Sequence, residues 1–142
     1  MTEKKQYPGE EGLFTWPSDQ PQLIGGRCKV CNTYYFPKSF IRHKPDCKDR
    51  SATEEVLFSR KGTLYSYTVQ YVPSPPPAVN PDPFVPNAIG WVALPEGIAI
   101  PGRITGCKLE DIKMHMDVEL TVESGGKDQE GNDVLIWKWR KI

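Results

Sequence analysis

Four residues of metal-binding type fall within a twenty-residue stretch, Cys28-Lys-Val-Cys31 and then His43-Lys-Pro-Asp-Cys47. A Cys-x-x-Cys pair turns two sulfurs toward one point, and a second pair farther along closes a tetrahedron. Zinc accepts such mixed sulfur and nitrogen sets, and a site with four protein ligands is structural rather than catalytic. The second pair departs from the usual spacing: His43 and Cys47 stand four apart, and no fourth cysteine is near, the remaining one being Cys107. The alternative is a knuckle that keeps its thiols without a metal. Such a short segment has almost no apolar core of its own. A metal must then supply its stability, on the order of 10–16 kcal/mol for structural zinc.

The chain has 142 residues, enough for one ordinary domain or a small one with an appendage. Its 18 basic and 18 acidic side chains give zero formal charge, which weighs against a protein that mainly grips phosphate backbones. No apolar run is long enough to cross a membrane as a helix. The start, Met1-Thr-Glu-Lys-Lys-Gln-Tyr-Pro8, lacks the apolar stretch of a signal peptide. A Cys-x-x-Cys pair without an export signal reads as metal ligation rather than as disulfides, and a cytoplasmic location is expected.

Residues 1–22 read as an extended docking arm, polar and proline-bearing, with Leu13, Phe14 and Trp16 as its large apolar group. Residues 23–50 form the expected zinc ribbon, with Thr33 to Phe36 as a short hairpin strand. Residues 51–142 read as strands. Gly62-Thr-Leu-Tyr-Ser-Tyr-Thr-Val-Gln-Tyr-Val72 alternates so as to place Tyr65, Tyr67, Val69 and Tyr71 on one face. Ile89 to Leu94 and Ile98 to Thr105 are joined by Pro95-Glu-Gly97, a three-residue hairpin loop. One helical turn is expected within Cys107 to Ile112. The alternation of Met114, Met116, Val118, Leu120 and Val122 predicts a further strand, with His115 on its polar side, and Val134 to Lys141 predicts the last. This order gives a mainly β chain: a small rubredoxin-like zinc ribbon followed by a five-stranded OB-fold barrel.

The proline-rich loop 73–87 interrupts the strands, and Val72 to Pro86 hold 7 of the 14 prolines. Such a run is stiff and extended and cannot enter a sheet. Phe84 and Val85 near its end read as anchors for a partner or substrate. Lys38 and Arg42, with Lys44, Lys48 and Arg50, give the ribbon a basic edge that suits a phosphate-bearing ligand; a solvated charged face is the plainer reading. No catalytic residues are assigned. His115 reads as a surface histidine and Cys107 as a small buried hydrophobe rather than a nucleophile. The sequence has no glycine-rich phosphate loop, His-Glu-x-x-His or nucleophile elbow.

An ordered set of phrases carries a resemblance. Leu23-Ile-Gly-Gly-Arg-Cys-x-x-Cys31, Tyr35-Phe-Pro37, a second ligand pair, Gly62-Thr-Leu-Tyr-Ser-Tyr-Thr-Val69 and Leu94-x-Glu-Gly97 follow one another. Over residues 22–142 the chain resembles the zinc-ribbon plus OB-fold proteins that accompany thiolase-like acyl-CoA enzymes. The resemblance implies an accessory, non-catalytic subunit with a structural zinc ion at Cys28, Cys31, His43 and Cys47. Its thiolase-like partner would hold the reactive residues of the acyltransferase complex, with CoA or acyl-CoA at their interface. Family members usually end the ribbon with Cys-Pro-x-Cys. Here Lys44 stands where the third cysteine belongs, and His43 is its natural substitute.

Two other readings compete. Aromatic strands of an OB barrel also stack single-stranded nucleic acid, with Tyr65, Tyr67, Tyr71, Trp137 and Trp139 as platforms. Against this stand the chain's neutrality and an acidic strand bearing Asp117, Glu119 and Glu123. A rubredoxin-type iron site would be expected to use four thiolates.

Overall fold

After a three-residue strand, β1 (Gln6–Pro8), the chain reaches Gly25 and Gly26 in β2 (Ile24–Cys28). A computed structural model describes residues 6–9, 12–75, 80 and 83–142. It shows why this pair is glycine: a Cβ on Gly25 would run into the Phe58 ring and one on Gly26 into the Tyr35 ring. β2 is the middle of a three-stranded antiparallel sheet, flanked by β3 (Tyr34–Tyr35) and β4 (Thr53–Leu57). The ribbon sheet therefore draws its third strand from beyond residue 50.

The remaining strands are β5 (Lys61–Gln70), β6 (Asn87–Ala93), β7 (Ala99–Thr105), β8 (Asp117–Lys127) and β9 (Asp133–Lys141). Their order, β9-β7-β6-β5-β8, closes through β8–β9 pairing into a five-stranded barrel, with β7 and β9 parallel. A single 3₁₀ turn, Leu109–Asp111, lies between β7 and β8, where the sequence places its one helical turn. This is the OB arrangement. β1 adds to β9 in parallel, and Tyr7 donates from its hydroxyl to Asp128 Oδ2 at 2.8 Å. Among the described residues no helix is long and apolar enough to cross a membrane.

The barrel core is apolar and alternates as the strands require. Leu64, Val92, Ile100, Val118, Leu120 and Trp139 are fully buried. Phe14, Leu23 and Phe58, which precede the barrel, belong to the same cluster, so ribbon and barrel share one core. Arg60 ties the joint down, donating to Pro21 O at 3.1 Å and Leu120 O at 3.0 Å.

Two readings of the alternation are corrected. A β-bulge between Leu64 and Ser66 shifts the register of β5 against β6. Tyr67 and Val69 then lie opposite Gly90 and the buried Ala88, while Ser66 faces the exposed Trp91. The extra residue resets the period-two pattern, so Tyr65 does not share a face with Tyr67, Val69 and Tyr71. Farther on, β8 starts at Asp117 rather than near Met114. His115 has φ of 66°, a left-handed residue that cannot lie in a strand. Its amide donates to Leu64 O at 2.8 Å and Leu64 N donates to Met116 O at 2.9 Å, so this corner clamps β5.

Candidate metal centre and the ribbon–barrel cleft

β2 delivers Cys28 into the ribbon interior, where it is fully buried. The chain then turns tightly. Cys28 N donates to Thr33 O at 3.0 Å and Asn32 N donates to Cys28 O at 2.9 Å. Asn32 takes the left-handed conformation, φ 57°, and its side-chain oxygen accepts from Arg27 at 3.1 Å. The second turn is held by Cys47 N donating to Lys44 O at 3.0 Å and by Asp49, which accepts from the Ser51 amide and hydroxyl.

These two turns bring Cys28, Cys31, His43 and Cys47 together, with their donor atoms all within 4.8 Å of one another. Cys28 Sγ lies 3.7 Å from Cys47 Sγ, and Cys31 Sγ lies 3.8 Å from His43 Nδ1. With Zn–S bonds of about 2.3 Å, a tetrahedral ion spaces its sulfurs about 3.8 Å apart. Two of the spacings match that value, and His43, not Lys44, lies with the three cysteines, a set compatible with one metal ion.

The electrostatics agree with the geometry. The Thr33 hydroxyl, 3.2 Å from Cys31 Sγ, leads the causes that hold that thiol down to about 5, with help from the Lys44 and Thr33 amides and His43. Desolvation opposes them and is outweighed. Cys47 is pushed up, by burial first and then by its cysteine neighbours. A crowded set that holds one thiolate and resists a second is relieved by a cation. Cys107 stands apart from this group, its thiol pushed up by burial.

A cleft of about 450 Å³ opens where the ribbon meets the barrel. Tyr34, Phe36 and Arg42 line it from the ribbon, and Trp91, Pro101 and Trp137 from the barrel. Phe36 meets Trp137 edge to face, centroids 5.4 Å apart at 88°, and the indole N–H of Trp137 donates to Pro101 O at 2.8 Å. The Arg42 guanidinium sits 4.7 Å from the centre of the Phe40 ring. Sequence reasoning named Arg42 and Trp137 separately but passed over Trp91. Its one local signal was a tryptophan on the outward phase of a strand.

Other positions singled out from the sequence fall elsewhere. Lys38 is paired within the ribbon, Nζ 3.1 Å from Glu55 Oε1. Phe84 is half-buried and Val85 exposed just before β6, and neither lines the cleft. Within the proline-rich loop, residues 76–79, 81 and 82 lie outside the described residues, as do 1–5, 10 and 11 of the arm.

Comparison with known proteins places this architecture. The family described as "ChsH2, C-terminal OB-fold domain" matches residues 55–123. A DUF35 domain-containing scaffold protein of Methanocaldococcus jannaschii is 41% identical over 114 residues, covering 80% of this chain and 75% of that protein. The benzoylsuccinyl-CoA thiolase subunit BbsA of Thauera aromatica is 30% identical over 132 residues, covering 92% and 85%. Among solved structures, the Ltp2-ChsH2(DUF35) aldolase superposes with a TM-score of 0.62 at 24% identity over 84% of each chain, a likeness of fold. With a ribbon, a closed OB barrel and this degree of identity along most of its length, the chain belongs to the DUF35 scaffold family.

Proposed function

We propose that this chain is a non-catalytic scaffold subunit of a thiolase-type acyl-CoA complex. Its ribbon folds around one structural zinc ion held by Cys28, Cys31, His43 and Cys47. The observation that carries this reading is the relationship, along most of the chain, to scaffold proteins and to a thiolase subunit. The partner chain supplies the nucleophile and bases. The ribbon-barrel unit packs against it, with Arg42 and the aromatic cleft beside the route of the acyl-CoA and Phe84 and Val85 at the end of loop 73–87 as contacts. The arm (1–22), the ribbon, extended from 23–50 by β4 to residue 57, and the barrel that follows to residue 142 are the working parts of this reading, and a cytoplasmic location suits it. Its most specific form is thiolytic cleavage of 2-benzoylsuccinyl-CoA to benzoyl-CoA and succinyl-CoA, as in aromatic degradation. That form rests on the likeness to BbsA.

Purification of the tagged chain from its host is expected to bring down a thiolase-like protein in near-equal amount. Recovery of nucleic acid in its place, or of the chain alone, would overturn the scaffold reading.

The metal assignment carries its own test. Protons compete with zinc for the thiolates, so whatever favours the Cys31 thiolate lets zinc persist to lower pH. Thr33 is the leading such group. Thr33→Val is expected to move acid-induced zinc release to higher pH, read with a chromophoric chelator. An unmoved or lowered release midpoint would contradict the role given to this hydroxyl.

A further inference from the structure

In an OB barrel the outer face of the second and third strands is the one that takes ligands. Here those strands are β6 and β7, with Trp91 directly opposite Pro101. Trp91 is 48% exposed, an aromatic ring left half in water on the face that ligands use. The ribbon stands over that face and narrows it to the cleft of about 450 Å³. At about 30 Å³ per water, such a space suits a ligand of roughly ten to fifteen non-hydrogen atoms, one or two rings rather than a polymer.

Both walls are held in place. Tyr34, Phe36 and Arg42 lie between Cys31 and His43, whose Sγ and Nδ1 atoms are 3.8 Å apart, so the loop that forms the ribbon wall is closed at its base. Across from it, Trp137 is fixed by its hydrogen bond to Pro101 O and by its edge-to-face contact with Phe36. Walls fixed in advance lower the entropy lost when a ligand enters.

The lining selects the ligand. Among the described residues that line the cleft, Arg42 is the one charged side chain, and the rest are aromatic rings, prolines and small or branched aliphatic groups. Other ribbon cations are spoken for, Arg27 by Glu54 and Lys38 by Glu55. Arg42 has neither an ion pair nor a hydrogen bond among the described residues, and its guanidinium lies against the Phe40 ring. A sugar would give up its hydrogen bonds to water here without replacing them, and a cation would meet Arg42 as a like charge. A flat ring instead stacks on Trp91, and a carboxylate pairs with the guanidinium through two parallel hydrogen bonds.

We infer that the ribbon–barrel cleft is a binding site for a small aromatic carboxylate, its ring against Trp91 and its charge on Arg42. This goes beyond the scaffold reading, in which the cleft lies beside the acyl-CoA and binds nothing by itself.

The full chain alone provides the test, so the outcome does not depend on a thiolase partner. The probe is 2-naphthoate, titrated against the tryptophan indole N–H signals in an NMR spectrum. The Trp91 and Trp137 signals are expected to shift saturably, and that of Trp16, which lies outside the cleft, to stay. 2-Naphthylmethylammonium keeps the rings and reverses the charge, and hexanoate keeps the charge without a ring; each is expected to bind roughly tenfold more weakly or worse. Arg42 and Trp91 are both exposed, so replacing either leaves the core intact. Arg42→Gln is expected to weaken naphthoate about tenfold and to erase the preference for the anion. Trp91→Ala, followed at Trp137, is expected to weaken it about tenfold while the preference for the anion remains. No saturable shift at Trp91 and Trp137, equal binding of the two naphthalene probes, or either variant binding naphthoate like the wild type overturns the proposal.

Discussion

Replacing Cys28 by serine is expected to empty the metal centre and melt the ribbon together. Cys28 is the only fully buried member of the ligand set, at the end of β2 with its sulfur 3.7 Å from Cys47 Sγ. A serine hydroxyl stays protonated at neutral pH and does not replace a thiolate on zinc. The ribbon has little else to hold it: β3 is two residues long, and only Cys28 and Tyr35 are buried apolar residues between Arg27 and Thr53. Structural zinc contributes on the order of 10–16 kcal/mol, comparable with the whole stability of an ordinary domain, about 5–15 kcal/mol. Zinc per chain is expected to fall from one to near zero, with loss of the ribbon amide signals in an NMR spectrum. The barrel signals from β5 to β9 are expected to persist, shifted most around Trp137, which loses its contact with Phe36. One zinc per chain retained in the variant would sink the ligand assignment. His43→Ala is expected to be milder, because three thiolates and a water still complete a tetrahedron, and to weaken zinc affinity while leaving the barrel unchanged.

The metal cluster was legible in the sequence because its geometry is local. Cys-x-x-Cys fixes a turn, and His43 stands next to the position that Lys44 cannot serve. The barrel strands were legible because period-two alternation survives in Ile89 to Leu94, Ile98 to Thr105 and Val134 to Lys141. Other features depended on pairing partners far away in the chain. Tyr65 to Tyr71 alternate without a break as letters, and only the register against β6 shows the bulge that turns Tyr65 away. Met114 and Met116 continue the alternation of β8, yet the left-handed backbone at His115 ends the strand there. Thr53 to Leu57 read equally well as the start of a barrel; their pairing with β2 puts them in the ribbon sheet. The cleft was hidden for the same reason, since Tyr34, Trp91 and Trp137 come from three separate strands and meet only through the shared core.

Phe58→Ala is expected to destabilise ribbon and barrel as one unit, by about 3–5 kcal/mol. Phe58 lies between β4 and β5 and is fully buried. Its ring centroid is 6.0 Å from that of Tyr34 and 6.4 Å from that of Phe36, and it fills the space that Gly25 leaves open. Its backbone is also anchored, the amide donating to Leu23 O at 3.0 Å and the carbonyl accepting from Gln22 at 3.2 Å. Removing the ring empties the junction without touching a metal ligand, so one zinc per chain should remain. For a chain of this size such a loss lowers the melting temperature by roughly 10–15 °C. Because Phe58 packs in one cluster with Leu23, Leu64 and Trp139, a single transition should move as a whole. Phe58→Leu should recover more than half of the loss, since it refills most of the volume. A shift of only a degree or two, or a ribbon transition that separates from an unmoved barrel transition, would show that the two units do not stabilise each other through this ring. The contrast with Cys28→Ser is the point of the pair: one variant removes the metal and melts the ribbon from a barrel that still folds, less stably for the lost Tyr34 and Phe36 contacts, and the other keeps the metal and weakens both.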